Sequence, residues 1–222
     1  MTARRALTDS LSVGFAAAAM GLAFGVLVAQ SGLAWWWATI FASVIFAGSL
    51  EFLLLGLVTT LAPLGQVAAA AFLVNFRHVF YALSFPLHRV PGVAAKAYST
   101  FALTDEAYAV TARPEAQSWS RARILWLQAF VHMFWVGSVT LGALGGTLIP
   151  QGVAGLDFAV TALFVVLGID AFRALRDVPA AIVAVVCALV GHVLFGEQML
   201  VAAMGLFTLF LLARYVIARR RA

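Results

Sequence analysis

Seven apolar stretches, at about 11–29, 34–61, 65–86, 124–148, 156–172, 178–195 and 198–217, run the length of the chain with little between them. A helix needs about 20 residues to cross the roughly 30 Å of hydrocarbon in a bilayer, and most of these stretches have that length. They are continuous rather than alternating, so the element that satisfies its own backbone in lipid here is the helix. The chain is 64% hydrophobic and 10% charged, with a mean hydropathy of +1.02. Soluble domains carry about 25% charged residues, and no soluble fold of this size hides so much apolar side chain. The expected fold is therefore all-α, a polytopic transmembrane helix bundle, with residues 1–222 forming a single integral-membrane domain. Arg4 and Arg5 before the first stretch resemble a signal peptide, but the stretch is too long for one and reads as an uncleaved first helix.

The second stretch departs from a simple span. WWWATIFASVIFAGSLEFLLLGLVTTL is long for one crossing, and Gly48, Ser49 and Glu51 fall near its centre. Small residues and a carboxylate at that depth predict a broken or re-entrant helix pair within 34–61, whose freed backbone must line a polar cavity or be buried in protein. Charge placement supports this. With 34–61 returning to its own side and both termini cytoplasmic, 14 Lys and Arg divide so that all but Arg77 lie inside, as the positive-inside rule requires. A rival arrangement has eight crossings, with 34–61 a full span and 98–112 a short extra one; it places Arg89 and Lys96 outside. The net charge of +5 and pI near 10.1 do not indicate nucleic acid, because no basic stretch carries interleaved aromatics for base stacking.

Residues 72–85, FLVNFRHVFYALSF, hold the densest polar group inside a span. At about 100° per residue, Asn75, His78, Tyr81, Arg77 and Ser84 share roughly half the helix circumference, with Phe76, Val79, Phe80 and Leu83 opposite. Arg at the bilayer centre costs about 2.5–3.5 kcal/mol on insertion scales, so this half must face other helices or a wet cavity. Glu51 beside the helix break is the second candidate, and an approach of Arg77 to Glu51 would satisfy both charges. The segment 98–112, YSTFALTDEAYAVTA, is too short to span upright; it reads as an interfacial or half-inserted helix with Thr104, Asp105 and Glu106 at its centre. Asp170 and Arg173, three apart, form an expected local pair, with Asp170 a further candidate. Asp157 reads as a helix N-terminal residue, His132 as a packing residue within its span, His192 as interfacial, and Trp35, Trp36 and Trp37 as an aromatic belt. Cys187, the one cysteine, reads as a small buried hydrophobe.

Enzyme motifs are missing. There is no HExxH, Ser49 in AGSLE does not fit GxSxG, and no P-loop is present. Neither a catalytic residue nor a metal or cofactor site is expected. Transport by a secondary carrier with a midplane site is the reading that remains. A channel, an uptake permease for another small zwitterion or ion, and a non-transporting scaffold subunit stay open as alternatives.

GLAFGVLVAQSGLAWWWATIFASVIFAGSLEF, LVNFRHVFYALS, LTDEAYAV and GLDFAVTALFVVL, in this order, resemble the AzlC family of branched-chain amino-acid exporters. The similarity runs over about residues 13–170. The resemblance implies export of valine, leucine or isoleucine, with methionine not distinguished, across a bacterial inner membrane. It also implies a small hydrophobic AzlD-type partner subunit. Carried onto this sequence, it points to Asn75, Arg77 and His78, and to Thr104, Asp105 and Glu106. Glu51 stands where the family commonly has Gln. A zwitterion needs an N–H-rich pole, an anionic pole and an apolar wall. Arg77 and the amides near Ser49 are available for the first, and Glu51, Asp105 or Glu106 for the second. Phe46, Phe52, Phe76 and Phe80 are available for the wall, and His78 for proton relay.

Overall fold

The computed structural model describes residues 2–150, 161, 162, 165, 168, 169, 172, 173 and 176–221. All regular structure among them is helical. Five stretches are long and apolar enough to cross a membrane: Thr2–Gln30, Leu64–Ser84, Arg121–Gly146, Val178–Phe195 and Met199–Arg219. Asp157 and Asp170 lie outside the described residues, as does most of the expected span at 156–172. The chain divides into two units, Met1–Thr60 with Asn75–Val153, and Leu61–Val74 with Ala154–Ala222.

The first unit is built on α1 (Thr2–Gln30) and α8 (Arg121–Gly146). Buried residues on α1 recur as Ala6, Ser10, Gly14, Ala17, Gly21, Gly25 and Val28, one stripe of mostly small side chains. On α8 the matching stripe ends in Ser138, Gly142 and Gly146. Without Cβ atoms the backbones touch: a Cβ built at Gly25 would stand 2.0 Å from the Val139 carbonyl oxygen, and one at Gly142 would stand 2.1 Å from that of Leu22. Lipid gives no hydrophobic drive between helices, so this close van der Waals packing is what holds the pair. Gln30 fastens the far end by donating Nε2 hydrogen bonds to the carbonyls of Gly146 (2.8 Å) and Ile149 (3.0 Å). At the near end Arg123 donates to Asp9 Oδ2 at 2.7 Å, and its guanidinium lies 3.9 Å over the Trp119 ring.

Four short helices pack with this pair, α2 (Trp36–Val44), α3 (Gly48–Thr59), α6 (Val93–Phe101) and α7 (Asp105–Thr111), and α5 (Arg77–Ser84) is tied to α3 and α7. The expected break in 34–61 is present, and neither half is long enough to span. The interruption falls at 45–47, just ahead of the Gly48, Ser49 and Glu51 that announced it. Phe46 carries it in the left-handed region (φ 48°), a conformation that costs a non-glycine residue roughly 1–2 kcal/mol. Its buried ring is fixed by stacking on His132 at 4.1 Å. Gly48 is helical, and it is needed for space: a Cβ there would sit 3.0 Å from the Trp135 ring.

The segment 98–112 is two helices rather than one. Gln128 donates Nε2 to the carbonyls of Ser99 (2.7 Å) and Ala102 (3.1 Å), which satisfies the orphan C-terminal acceptors of α6. Thr104 then restarts the chain as the N-cap of α7, accepting from the Ala107 N–H at 3.4 Å. Trp35, Trp36 and Trp37 are each about two-fifths exposed, and Trp36 and Trp37 stack at 4.7 Å.

The second unit contains most of α4 (Leu64–Asn75), with α9 (Val178–Phe195) and α10 (Met199–Arg221). The last two form a hairpin turned at Gly196 (φ 49°) and closed by Asp177–Arg214. The Ala180 backbone N–H and then Arg214 hold the Asp177 carboxyl below its ordinary value of 3.8. A depressed carboxylate adds stability above its unfolded value and loses it as pH falls through its folded one. Asp177→Asn is therefore expected to destabilise the hairpin slightly at neutral pH and to leave it unchanged at pH well below 3.8, measured by hydrogen exchange in α9.

Candidate functional site

Three helix starts of the first unit meet. Ser49 is the second residue of α3, Arg77 the first of α5 and Asp105 the first of α7. Arg77 donates from Nε to Asp105 Oδ1 at 3.0 Å, and its Nη2 lies 2.9 Å from Asp105 Oδ2, so the carboxylate fills the guanidinium fork. The same Nη2 donates to Ser49 Oγ at 2.9 Å. The two charged side chains are 37% and 49% exposed. The Tyr81 hydroxyl borders it. The Tyr81 ring stacks on Tyr108 at 4.3 Å, and the Tyr108 hydroxyl meets Ser84 Oγ at 2.9 Å.

Glu51, in the first turn of α3, does not pair with Arg77. It is fully buried, and its carboxylate accepts from the Ala47 N–H at 3.0 Å and from Trp135 Nε1 at 3.0 Å. The first bond reaches back over the helix start, much as a capping-box residue does. The second ties the broken pair to α8. Glu51→Ala leaves two buried donors unmatched, at about 1–3 kcal/mol each, and is expected to lower the thermal midpoint clearly. Glu51→Gln keeps an acceptor oxygen for both donors and is expected to fold close to normally. A Glu51→Ala protein that melts with wild type would remove this role.

His78 directs Nδ1 to the Asn75 carbonyl at 2.9 Å and meets Tyr81 edge-on at 5.4 Å, without a hydrogen bond to Arg77, Ser49, Glu51 or Asp105. Asn75 Oδ1 is buried with no hydrogen-bond partner among the described residues. Glu106, beside Asp105, is half-buried, and its charge reaches Glu51. Thr104 is the buried α7 cap. The four phenylalanines do not form one wall: Phe46 lies on His132, Phe52 meets Phe24 at 5.0 Å, and Phe76 meets Phe80 at 5.7 Å. His132 packs between Phe46 and Phe101, with Nε2 buried and unpartnered among the described residues. Sequence reasoning missed Trp135 and Tyr108, which hold Glu51 and Tyr81. Gln128, Trp135, Ser138 and Gly142 share the buried stripe of α8, and that periodicity was the signal available for Trp135.

The family model described as AzlC protein matches residues 12–149, well over half the chain. The chain belongs to the AzlC family. Among AzlC relatives, the branched-chain amino acid transport protein AzlC of Bacillus subtilis is 28% identical, covering 83% of this chain and 74% of its own length. An uncharacterized membrane protein of Helicobacter pylori is 30% identical over 87% of this chain and 86% of its own. Inner membrane protein YgaZ of Escherichia coli is 24% identical over 88% and 83% respectively. No solved structure matches the chain significantly. This AzlC-family chain is a multi-pass membrane protein.

Proposed function

We propose that this protein is a secondary carrier that exports branched-chain amino acids, valine, leucine or isoleucine, by alternating access to a site within the membrane. The similarity to the Bacillus subtilis transport protein supports the substrate class. The observation that carries the site is the Arg77 fork, held by Asp105 and Ser49 where three helices begin. An amino-acid carboxylate has the geometry of the Asp105 side chain and would take its place on Arg77. Asp105, displaced, and Glu106 beside it then offer oxygens to the substrate ammonium. Glu51, two residues from Ser49 and kept in place by Ala47 and Trp135, is the further candidate for the ammonium pole. Asn75, with its buried unpartnered oxygen, and Tyr81 complete the polar rim. Thr104, Asp105, Glu106 and Asp170 would couple binding to movement, and His78 remains the candidate proton relay.

We place the protein in a bacterial inner membrane with both termini cytoplasmic, the arrangement that keeps its arginines inside, and with a small hydrophobic AzlD-type subunit as partner. Counterflow in proteoliposomes holding the chain with that subunit tests the reading. Labelled valine, leucine and isoleucine should accumulate in vesicles loaded with the same amino acids, with saturation, whereas lysine and glutamate should not. Failure of all three to exchange, or single-channel conductance in their place, would overturn it.

A further inference from the structure

The break between α2 and α3 leaves two carbonyl groups over. In a continuous helix the Phe46 and Ala47 N–H groups would donate to the oxygens of Ala42 and Ser43, four residues back. Instead Phe46 donates to the Phe41 carbonyl at 3.4 Å, and Ala47 donates to Glu51 Oε1 at 3.0 Å. No other backbone N–H among the described residues takes their place. Against these two oxygens lies the ring of His132, from α8. It stacks on Phe46 at 4.1 Å and meets Phe101 of α6 edge-on at 5.7 Å, and its buried Nε2 makes no hydrogen bond among the described residues. His78, by contrast, has its Nδ1 on the Asn75 carbonyl. From Arg121 at the start of α8 to His132 the helix rises by about 17 Å, which brings the ring near the middle of a bilayer.

The place suits a bound proton. The two freed carbonyls are acceptors without donors, and a buried polar group left unpaired is costly. They close the last turn of α2, the negative end of its dipole, where a cation is stabilised. Neutral imidazole keeps one nitrogen as an acceptor, whereas the protonated ring presents an N–H at both and adds the charge. Few other ionisable groups face the ring. On α6 it is Tyr98, with ring centroids 6.4 Å apart; Lys96 is exposed and two residues away, on a different side of that helix. On α3 it is Glu51, held by Trp135 one turn further along α8. The α2 helix carries none. On α8 itself Arg121 and Arg123 lie roughly 13 Å or more back along the axis, at the same end as Arg4, Arg5 and Asp9 of α1.

We infer that His132 is a proton-binding site of the transport cycle, separate from His78. With the proton on, the ring donates to the freed carbonyls and pins the end of α2 to α8. With the proton off, that tie weakens and the break between α2 and α3 loosens. The link to transport rests on the function proposed above; the proton site itself does not.

The test uses the full chain in neutral detergent and then in proteoliposomes. Nitrogen NMR of protein labelled at its four histidines is recorded from about pH 5 to 8, the span in which imidazoles exchange their proton. One transition should vanish in His132→Gln. Hydrogen exchange at residues 45–47, corrected for its intrinsic dependence on pH, should be about tenfold slower on the acid side of that transition. His132→Gln, whose amide donates at every pH, should stay slow throughout. His132→Phe keeps a ring for Phe46 but has no donor, and should stay fast. Exchange of branched-chain amino acids should lose its dependence on pH in both variants. A His132 ring that keeps one protonation state over the whole range overturns the proposal. So does hydrogen exchange that follows one curve in wild type and His132→Phe, or amino-acid exchange in His132→Gln with the wild-type pH profile; the last would leave transport itself standing. Absence of any amino-acid exchange would remove the proposed function, and the NMR and hydrogen-exchange results would still decide whether His132 binds a proton at the break. Should a His132 variant not fold, a chain carrying His78→Gln, His88→Gln and His192→Gln leaves His132 as the one histidine. Its titration and the change in exchange at 45–47 must then share a midpoint, and separate midpoints overturn the proposal.

Discussion

Alanine in place of Arg77 is expected to cut substrate flux by about a hundredfold while the amount of membrane-inserted protein stays near wild type. Arg77 joins the starts of α3, α5 and α7 through Ser49 and Asp105, and it is the cation of the proposed site. Its fork is matched to a carboxylate by geometry as well as charge. Arg77→Lys is therefore expected to lose most of the activity too, since an ammonium contacts one oxygen where the guanidinium contacts two. Asp105→Ala removes the partner that keeps the fork aligned, and its loss should not add to that of Arg77→Ala in the double variant. Because the pair is partly exposed, its removal is expected to change stability much less than flux. Initial rates in proteoliposomes, normalised to protein, measure this. Wild-type flux in Arg77→Ala would take Arg77 out of the site.

Gly142→Ala is expected to be the most damaging single methyl addition on the described surface of α8, at about 3 kcal/mol. The added carbon would fall 2.1 Å from the Leu22 carbonyl oxygen and 2.7 Å from the Leu22 Cα, both backbone atoms that cannot rotate away. Gly145→Ala, three residues on, meets nothing within 4 Å and serves as control, with an expected effect within about 0.5 kcal/mol. Folded yield after detergent extraction and the thermal midpoint report the difference. Equal behaviour of the two variants would mean that α1 and α8 are held apart more widely than described.

The helical class, the five described spans and the polar half of residues 72–85 were legible because each is local: composition and a repeat of 3.6 residues suffice. The interruption of 34–61 was legible from Gly48, Ser49 and Glu51, but not its position. Phe46 occupies a left-handed conformation that favours glycine, and what holds it there is a ring from a distant helix. The charge partners were not legible at all. Arg77 and Asp105 are 28 residues apart, and Glu51 and Trp135 are 84 apart. Nothing in a single sequence distinguishes Asp105 from Glu51 as the counter-ion, and the simpler expectation, Arg77 with Glu51, is not what forms. Thr104 followed by two acids does carry a helix-start signature, yet the stop that precedes it depends on Gln128, which no local pattern connects to Ser99.

The contact of α1 with α8 bears on how such a protein would work. Two helices whose peptide groups touch cannot slide past one another without opening a gap, and they cannot rotate without driving one main chain into the other. They behave as a single stiff strut. Under the alternating access proposed above, the parts of the first unit left to tilt are the short helices that begin after Phe46 and at Thr104.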